Sequence, residues 1–75
     1  MKIVVVGIGY VGLSHAVLLS QNHQVVALDI EMEKVEMINR GQSPFHDADI
    51  EFFLKNKLLH LKATINKEEA FDHAV

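Results

Sequence analysis

Apolar and polar positions alternate in blocks along the chain, and the blocks predict a repeating order of strands and helices. Short runs of β-branched residues are typical of buried strands, and longer segments with apolar positions three and four apart are typical of helices. The pattern predicts strands at residues 2–6, 24–29 and 59–65. It predicts helices at residues 11–21, 31–40, 48–56 and 67–73. Alternation of this kind indicates an α/β protein with a parallel sheet.

Residues at the ends of the predicted helices support these boundaries. Gly41 is a natural stop for the second helix. Asp47 and Asn66 each precede a predicted helix and can cap it through a side-chain oxygen. The third helix has an apolar face formed by Ile50, Phe53 and Leu54.

The first predicted strand runs into a glycine-rich turn formed by Gly7, Gly9 and Gly12. Gly7 allows a sharp turn, Gly9 removes the side chain that would block a pyrophosphate, and Gly12 lets the next helix pack closely on the strand. The helix begins near Tyr10 or Val11, where unpaired amides and the positive dipole end attract an anion without a lysine. The turn is therefore predicted to bind the phosphates of a dinucleotide.

A carboxylate, Asp29, ends the second predicted strand. In this order of strand, turn, helix and strand, an acid at that position accepts hydrogen bonds from the adenosine ribose. A 2′-phosphate would meet the carboxylate charge, since two unit charges 4 Å apart repel by about 4 kcal/mol at an effective dielectric near 20. The sequence thus predicts NAD rather than NADP as the cofactor.

Other interpretations of the N-terminal segment are less favoured. Glycines after a strand are often only turn residues, and Asp29 alone could be a solvated charge. The apolar run at residues 3–13 behind Lys2 could be part of a secretory signal, with Ser14-His15-Ala16 as the cleavage site. Glycines inside the run and a second strand beyond it favour a buried parallel strand.

Composition argues against several classes of function. The 75 residues are 49% hydrophobic and 23% charged with a formal net charge of −3, which is typical of one globular unit without a basic patch for nucleic acid. No apolar run reaches the length of about 18 residues expected of a membrane span. The chain has no cysteine, so it offers no thiol nucleophile, and a reducing compartment such as the cytoplasm is expected. The five histidines lack ligand spacing, so no metal site is expected.

Two further kinds of residue are candidates for the site. The four phenylalanines could stack on adenine, but core packing is favoured for Phe45, Phe52, Phe53 and Phe71. Lys34 lies on the second predicted helix and could reach the ribose or a phosphate of the cofactor. Spacing alone does not select it, because a lysine on a helix surface is usually solvated.

Several longer strings are more specific than the glycine spacing. They are Lys-Ile-Val-Val-Val-Gly-Ile-Gly-Tyr-Val-Gly-Leu-Ser at residues 2–14, Val-Ala-Leu-Asp-Ile at 26–30, Glu-Lys-Val at 33–35, Asn-Arg-Gly at 39–41, Ser-Pro at 43–44, the helix at 50–54, Leu-Lys-Ala-Thr at 61–64 and Lys-Glu-Glu-Ala at 67–70. Together they resemble the amino terminus of the UDP-glucose 6-dehydrogenase family over essentially all 75 residues. Related dehydrogenases of GDP-mannose or UDP-N-acetyl sugars share much of this pattern.

The resemblance implies a function for the larger enzyme and roles for residues in this chain. The family oxidises the primary alcohol of a sugar nucleotide to a carboxylate with two NAD molecules, through a thiol-bound intermediate, and so serves nucleotide-sugar metabolism and polysaccharide biosynthesis. It implies a backbone contact from Val11, ribose binding by Asp29 and a cofactor contact from Lys34. The predicted cofactor-binding residues are Gly7, Gly9, Tyr10, Val11, Gly12, Asp29 and Lys34.

The resemblance also implies that residues 1–75 are an incomplete domain. The family's catalytic cysteine, acid-base residues and sugar-nucleotide domain have no counterpart here, so no catalytic residue is predicted and the UDP-sugar is expected to bind only the full-length enzyme. We expect a truncated Rossmann-type fold with three parallel strands in the order 3-2-1 and flanking helices. Without strand four, strand one becomes an exposed edge, and we expect self-association through it. A non-catalytic module for NAD binding or assembly is the alternative function.

Overall fold

The computed structural model describes residues 2–56 and 60–72. These ranges contain the strands β1 (Lys2–Val6), β2 (Gln24–Leu28) and β3 (Leu61–Thr64) and the helices α1 (Tyr10–Ser20), α2 (Met32–Asn39), α3 (Ala48–Asn56) and α4 (Lys67–Asp72). The order of elements confirms the predicted alternation, and their described ends lie close to the predicted ones. The predicted ends at Leu59 and His73 lie outside the described residues. Among the described helices, none is long and apolar enough to cross a membrane.

The three strands form one parallel sheet in the order β1-β2-β3. Val4 is paired with Val26, and Ala27 is paired with Ala63. This is the predicted order 3-2-1, and within the described residues it puts β1 at one edge of the sheet. Because the strands are parallel, their carboxyl ends meet at one side of the sheet, which is where ligands bind in folds of this type.

The helices cover the sheet around one apolar core. Its buried members are Ile8, Leu13, Val17, Ala27, Val35, Ile38, Ile50, Leu54 and Ala63. Phe45 and Phe53 pack against this core as predicted. The prediction is wrong for Phe52 and Phe71, which are 59% and 47% exposed. Their chain neighbours Phe53 and Ala70 take the inward positions on α3 and α4.

Side-chain caps begin α3 and α4 at the predicted residues. Asp47 Oδ1 accepts a hydrogen bond from the Ile50 N–H at 3.0 Å, and Asn66 Oδ1 accepts one from the Glu69 N–H at 3.1 Å. Each bond satisfies an amide that has no partner within its helix. Gly41 follows α2 with a φ of +77°, which confirms the predicted helix stop.

The outer edge of β3 is closed by a side chain from α2. Asn39 donates from Nδ2 to the carbonyl of Ala63 and accepts at Oδ1 from the N–H of the same residue, both at 2.8 Å. The side-chain amide thus takes the place of a neighbouring strand at this residue. Among the described residues, no side chain forms such a contact with the outer edge of β1.

Candidate dinucleotide-binding site

The chain bends sharply where β1 ends. Gly7 has a φ of +93°, a conformation that L side chains rarely adopt, and its N–H donates to the carbonyl of Leu28 at 2.8 Å. Gly9 is the N-cap residue of α1, with φ −76° and ψ 179°. The backbone therefore leaves the extended conformation after β1 and enters a helix that begins at Tyr10.

The other two glycines of the turn, Gly9 and Gly12, differ in the space available for a side chain. A Cβ at Gly12 would lie 2.2 Å from the carbonyl oxygen of Gly7, so α1 can pack this closely on the turn only with glycine there. A Cβ at Gly9 would meet no heavy atom within 4 Å. Gly12 is thus required by the fold itself, whereas Gly9 borders open space in which a ligand can approach the backbone.

Asp29 joins the glycine-rich turn to the end of β2. Its Oδ2 accepts a hydrogen bond from the Ile8 N–H at 2.6 Å, and its Oδ1 accepts one from the Glu31 N–H at 2.9 Å. Both donors are backbone groups, so the carboxylate is held in one orientation beside the turn. A carboxylate can accept about four hydrogen bonds. Roughly two acceptor positions therefore remain for a ligand.

The surroundings of Asp29 favour its charged form. Burial raises the pKa of this carboxyl, but the hydrogen bonds from Glu31 and Ile8 and the nearby charge of Lys34 outweigh burial and hold the pKa below its usual value. Asp29 is therefore an acceptor for hydroxyl groups near neutral pH and repels a second anion.

Lys34 lies in the first turn of α2 and is held between two groups. Its Nζ is 3.8 Å from the Glu31 carboxylate and 5.6 Å from the centroid of the Phe45 ring. The Lys34 side chain is only 26% exposed. Its positive charge is one of the influences that lower the pKa of Asp29.

Tyr10 contacts the segment that precedes α3. Its hydroxyl donates to Asp47 Oδ2 at 2.5 Å, and its ring meets Phe45 edge to face with centroids 5.9 Å apart. Phe45 and Asp47 thus touch the site, although sequence reasoning predicted Phe45 only for the core and Asp47 only as a cap. No local pattern could have found these contacts, because Tyr10 and Asp47 are 37 positions apart.

A shallow cavity of about 200 Å³ lies at the ends of β1 and β2. Its lining consists of Val6, Gly7, Leu28, Asp29 and Ile30. Val6 is 68% exposed and Ile30 is 94% exposed. The cavity combines exposed apolar side chains with a fixed carboxylate, which suits a ligand that carries both a flat apolar ring and hydroxyl groups.

The structure brings most of the predicted site residues to one side of the sheet. Gly7, Gly9 and Gly12 shape the turn, and Asp29 is bonded to it through Ile8. Tyr10 and Val11 begin α1 and are 51% and 65% exposed. Within residues 2–56 and 60–72, no three potential metal-ligating side chains are clustered.

Comparisons with known proteins show the family to which the chain belongs. Residues 1–75 match the model of the UDP-glucose/GDP-mannose dehydrogenase family, NAD binding domain. The chain is 49% identical to a UDP-glucose 6-dehydrogenase of Campylobacter jejuni over 99% of its own length and 19% of the relative's. It is 46% identical to a UDP-glucose 6-dehydrogenase of Streptococcus pneumoniae over 95% of its own length and 18% of the relative's.

A solved structure is similar as well. The ternary complex of GDP-mannose dehydrogenase from Pseudomonas aeruginosa superposes with a TM-score of 0.86 at 33% identity, over 93% of this chain and 17% of that one. The chain thus spans about a fifth of the length of the curated relatives named above. It belongs to the UDP-glucose/GDP-mannose dehydrogenase family and matches that family's NAD-binding domain, which makes NAD its cofactor.

Proposed function

We propose that NAD binds across the glycine-rich turn and Asp29. The turn shaped by Gly7, Gly9 and Gly12 lets the pyrophosphate approach the start of α1, where the amides of Tyr10 and Val11 receive it. Asp29 accepts hydrogen bonds from the adenosine ribose, and Lys34 contacts the ribose or a phosphate from α2. NAD, when bound, supplies the hydride acceptor of the oxidation.

The hydrogen bonds of Asp29 are the observation that carries this proposal. Each oxygen of the Asp29 carboxylate accepts one hydrogen bond from a backbone amide. About two positions are left, which matches the two hydroxyls of a ribose. Open space beside Gly9 also fits a pyrophosphate, because no side chain fills it. The chain's own atoms therefore suit the shape and the hydrogen-bonding groups of a dinucleotide.

Calorimetric titration of the 75-residue chain with NAD and with NADP tests the proposal. A fixed charge at Asp29 should make NADP bind at least about tenfold more weakly than NAD, because solvent screening reduces but does not remove the repulsion. Equal affinity for the two cofactors would contradict the ribose role of Asp29. Absence of binding by either would contradict the site as a whole.

We propose further that residues 1–75 are the first, incomplete part of the NAD-binding domain of a larger UDP-glucose 6-dehydrogenase. The relatives with this activity are about five times longer than the matched segment. The UDP-sugar site and the catalytic groups then lie outside residues 1–75, in a protein that acts in the cytoplasm and supplies polysaccharide biosynthesis. Coding sequence beyond Val75 that contains a cysteine-bearing catalytic segment would support this proposal.

Two alternatives concern the same chain. The larger enzyme could act on GDP-mannose, which the similarity to a GDP-mannose dehydrogenase supports, or on a UDP-N-acetyl sugar. An assay of the full enzyme for NADH formation with each sugar nucleotide distinguishes these substrates. A stop codon directly after Val75 in the native gene would instead favour a non-catalytic module for NAD binding or assembly.

Self-association of the 75-residue chain through β1 is part of the proposal. β1 is paired on one side by β2, and Val6 at its end is 68% exposed. An edge strand with unpaired backbone groups can pair with a second copy. Sedimentation should detect association at high concentration, and Val6→Lys should weaken it. Leu18→Lys is the control and should not weaken association, because Leu18 lies on α1 rather than on β1 and is already 63% exposed. A strict monomer would contradict it.

A further inference from the structure

Residues 43–47, between α2 and α3, form a segment that we call the strap. Its Phe45 ring lies 5.6 Å from Lys34 Nζ and 5.9 Å from the Tyr10 ring, at an interplanar angle of 87° to the latter. Its Asp47 accepts the hydrogen bond from the Tyr10 hydroxyl. One short segment therefore meets two of the predicted cofactor-binding residues, one on α1 and one on α2.

Several bonds fix the shape of the strap. Ser43 Oγ accepts the Phe45 N–H at 3.0 Å and donates to the Phe45 carbonyl at 2.7 Å. The Asp47 N–H donates to the same carbonyl at 3.0 Å, and Asp47 Oδ1 caps α3. Phe45 also packs against the core. The backbone bonds and the core packing therefore hold the Phe45 ring in one position.

The Lys34 ammonium lies beside that ring. A lysine on a helix samples many rotamers, and a ligand that binds it must restrict them. Here the centroid of the Phe45 ring lies 5.6 Å from the ammonium nitrogen, and a carboxylate oxygen of Glu31 lies 3.8 Å from it. The Lys34 side chain is 26% exposed, whereas that of Glu31 is 60% exposed. Two neighbouring groups thus restrict the ammonium before a ligand binds, and the N–H of one of them, Glu31, is bonded to Asp29.

We propose that Phe45 is a positioning residue for cofactor binding, because its ring holds the Lys34 ammonium at the edge of the dinucleotide site. The hydrogen bond between Tyr10 and Asp47 holds the strap that carries the ring. Phe45 acts through Lys34 and has no contact of its own with the cofactor in this proposal. The inference rests on the proposed function, since it concerns the same NAD.

Calorimetric titration with NAD of the wild-type chain, Phe45→Leu, Lys34→Met and the double variant tests the role of Phe45. Phe45→Leu should weaken NAD binding about threefold to tenfold, the range expected for a lost cation–π contact. The double variant should bind no more weakly than Lys34→Met, because the ring acts only through the ammonium. The proposal would be overturned if Phe45→Leu weakened NAD binding by the same factor in the Lys34→Met background as in the wild type.

A matched control separates positioning from core packing. Phe53 also packs against the core, but it lines the groove between α1 and α3. Phe53→Leu removes a similar amount of packing and should leave NAD affinity unchanged. Equal losses of affinity in Phe45→Leu and Phe53→Leu would overturn the proposal, because both would then report general loosening of the core.

Proton chemical shifts of Lys34 test its placement without NAD. Protons over an aromatic face are shifted upfield by the ring current, so the Lys34 Hε protons, next to an Nζ that lies 5.6 Å from the Phe45 centroid, should be farther upfield in the wild type and in Phe53→Leu than in Phe45→Leu. Hε shifts in the wild type typical of a solvated lysine would overturn the proposal.

The titrations distinguish a failure of the proposed function from a failure of this inference. If the wild type binds no NAD, the proposed function fails. If the wild type binds NAD and Phe45→Leu binds it equally well, only the inference about Phe45 fails.

Discussion

Asp29 accepts a hydrogen bond from the backbone N–H of Ile8, 21 positions earlier in the chain, at 2.6 Å. Ile8 lies inside the glycine-rich turn, and its side chain is fully buried in the core. Asp29, which we expect to bind the ribose, is therefore also hydrogen-bonded to the turn that we expect to bind the phosphates. A change at Asp29 should affect both the stability of the fold and the binding of the cofactor.

Asp29→Asn should lower the free energy of unfolding, by about 1 kcal/mol at neutral pH, because it weakens hydrogen bonds to a partly solvated carboxylate. The pKa of Asp29 is lower in the folded chain than its usual value. The contribution of the Asp29 carboxylate to the free energy of unfolding is fully present above the pKa of about 3.9 in the unfolded chain. It is lost as the pH falls through the pKa of Asp29 in the folded chain. Urea denaturation of both proteins at neutral and acidic pH measures this, and a difference that stays constant down to strongly acidic pH would contradict it.

Alanine substitutions in the turn should separate folding from binding. Gly12→Ala brings a Cβ within 2.2 Å of the Gly7 carbonyl oxygen and should cost about 3 kcal/mol or more of stability. Gly9→Ala meets open space and an ordinary φ, so its cost should stay below about 1 kcal/mol. Gly9→Ala should nevertheless weaken NAD binding. Chemical denaturation and NAD titration of both variants check this, and equal destabilisation by the two would count against the packing described.

The ionisation of Tyr10 should report the contact between the strap and α1. The hydrogen bond to Asp47, together with the Asp47 charge, raises the pKa of Tyr10 above its ordinary value. Tyr10 is the only tyrosine in the chain, so the ultraviolet absorbance of tyrosinate follows this group alone. Asp47→Asn should move the titration midpoint down more than Asp49→Asn does, since Asp49 acts only through its charge. Equal shifts in the two variants would mean that Tyr10 does not bond to Asp47.

Asn39→Ala should destabilise the chain by about 1 to 3 kcal/mol. The substitution leaves both the N–H and the carbonyl of Ala63 without their partner at the edge of β3. Asn56→Ala is the control, because within the described residues Asn56 bonds to an exposed carbonyl in its own helix, and it should change stability by less than about 0.5 kcal/mol. Urea denaturation measures both values. Similar losses in the two variants would argue against a special role for Asn39.

The parts of the fold that depend on local pattern could be predicted from the sequence. The β-branched runs predict the strands, because such residues fit a buried parallel sheet. The position of Gly7 before a helix predicts the sharp turn, and the structure gives this glycine a φ of +93°. The caps formed by Asp47 and Asn66 follow from the short reach between a side chain and the first turn of its own helix.

The parts that depend on contacts between distant segments could not be predicted. Nothing in the residues around Phe45 indicates that its ring meets Lys34, because α2 and the strap must first pack on the same core. The composition likewise suggested core packing for Phe52, which the helical period of α3 turns outward. The bond between Asp29 and the Ile8 amide is of the same kind, since only the pairing of β1 with β2 brings the two residues together.

Amide proton–nitrogen correlation spectra of the 75-residue chain during titration with NAD test the central claim most directly. The amides of the turn, residues 7–12, and those of Asp29, Ile30 and Glu31 should shift together along one saturating curve, since one ligand contacts both segments. Shifts confined to other parts of the chain, or none up to the highest NAD concentration that the spectra allow, would contradict a dinucleotide site formed by the glycine-rich turn and Asp29.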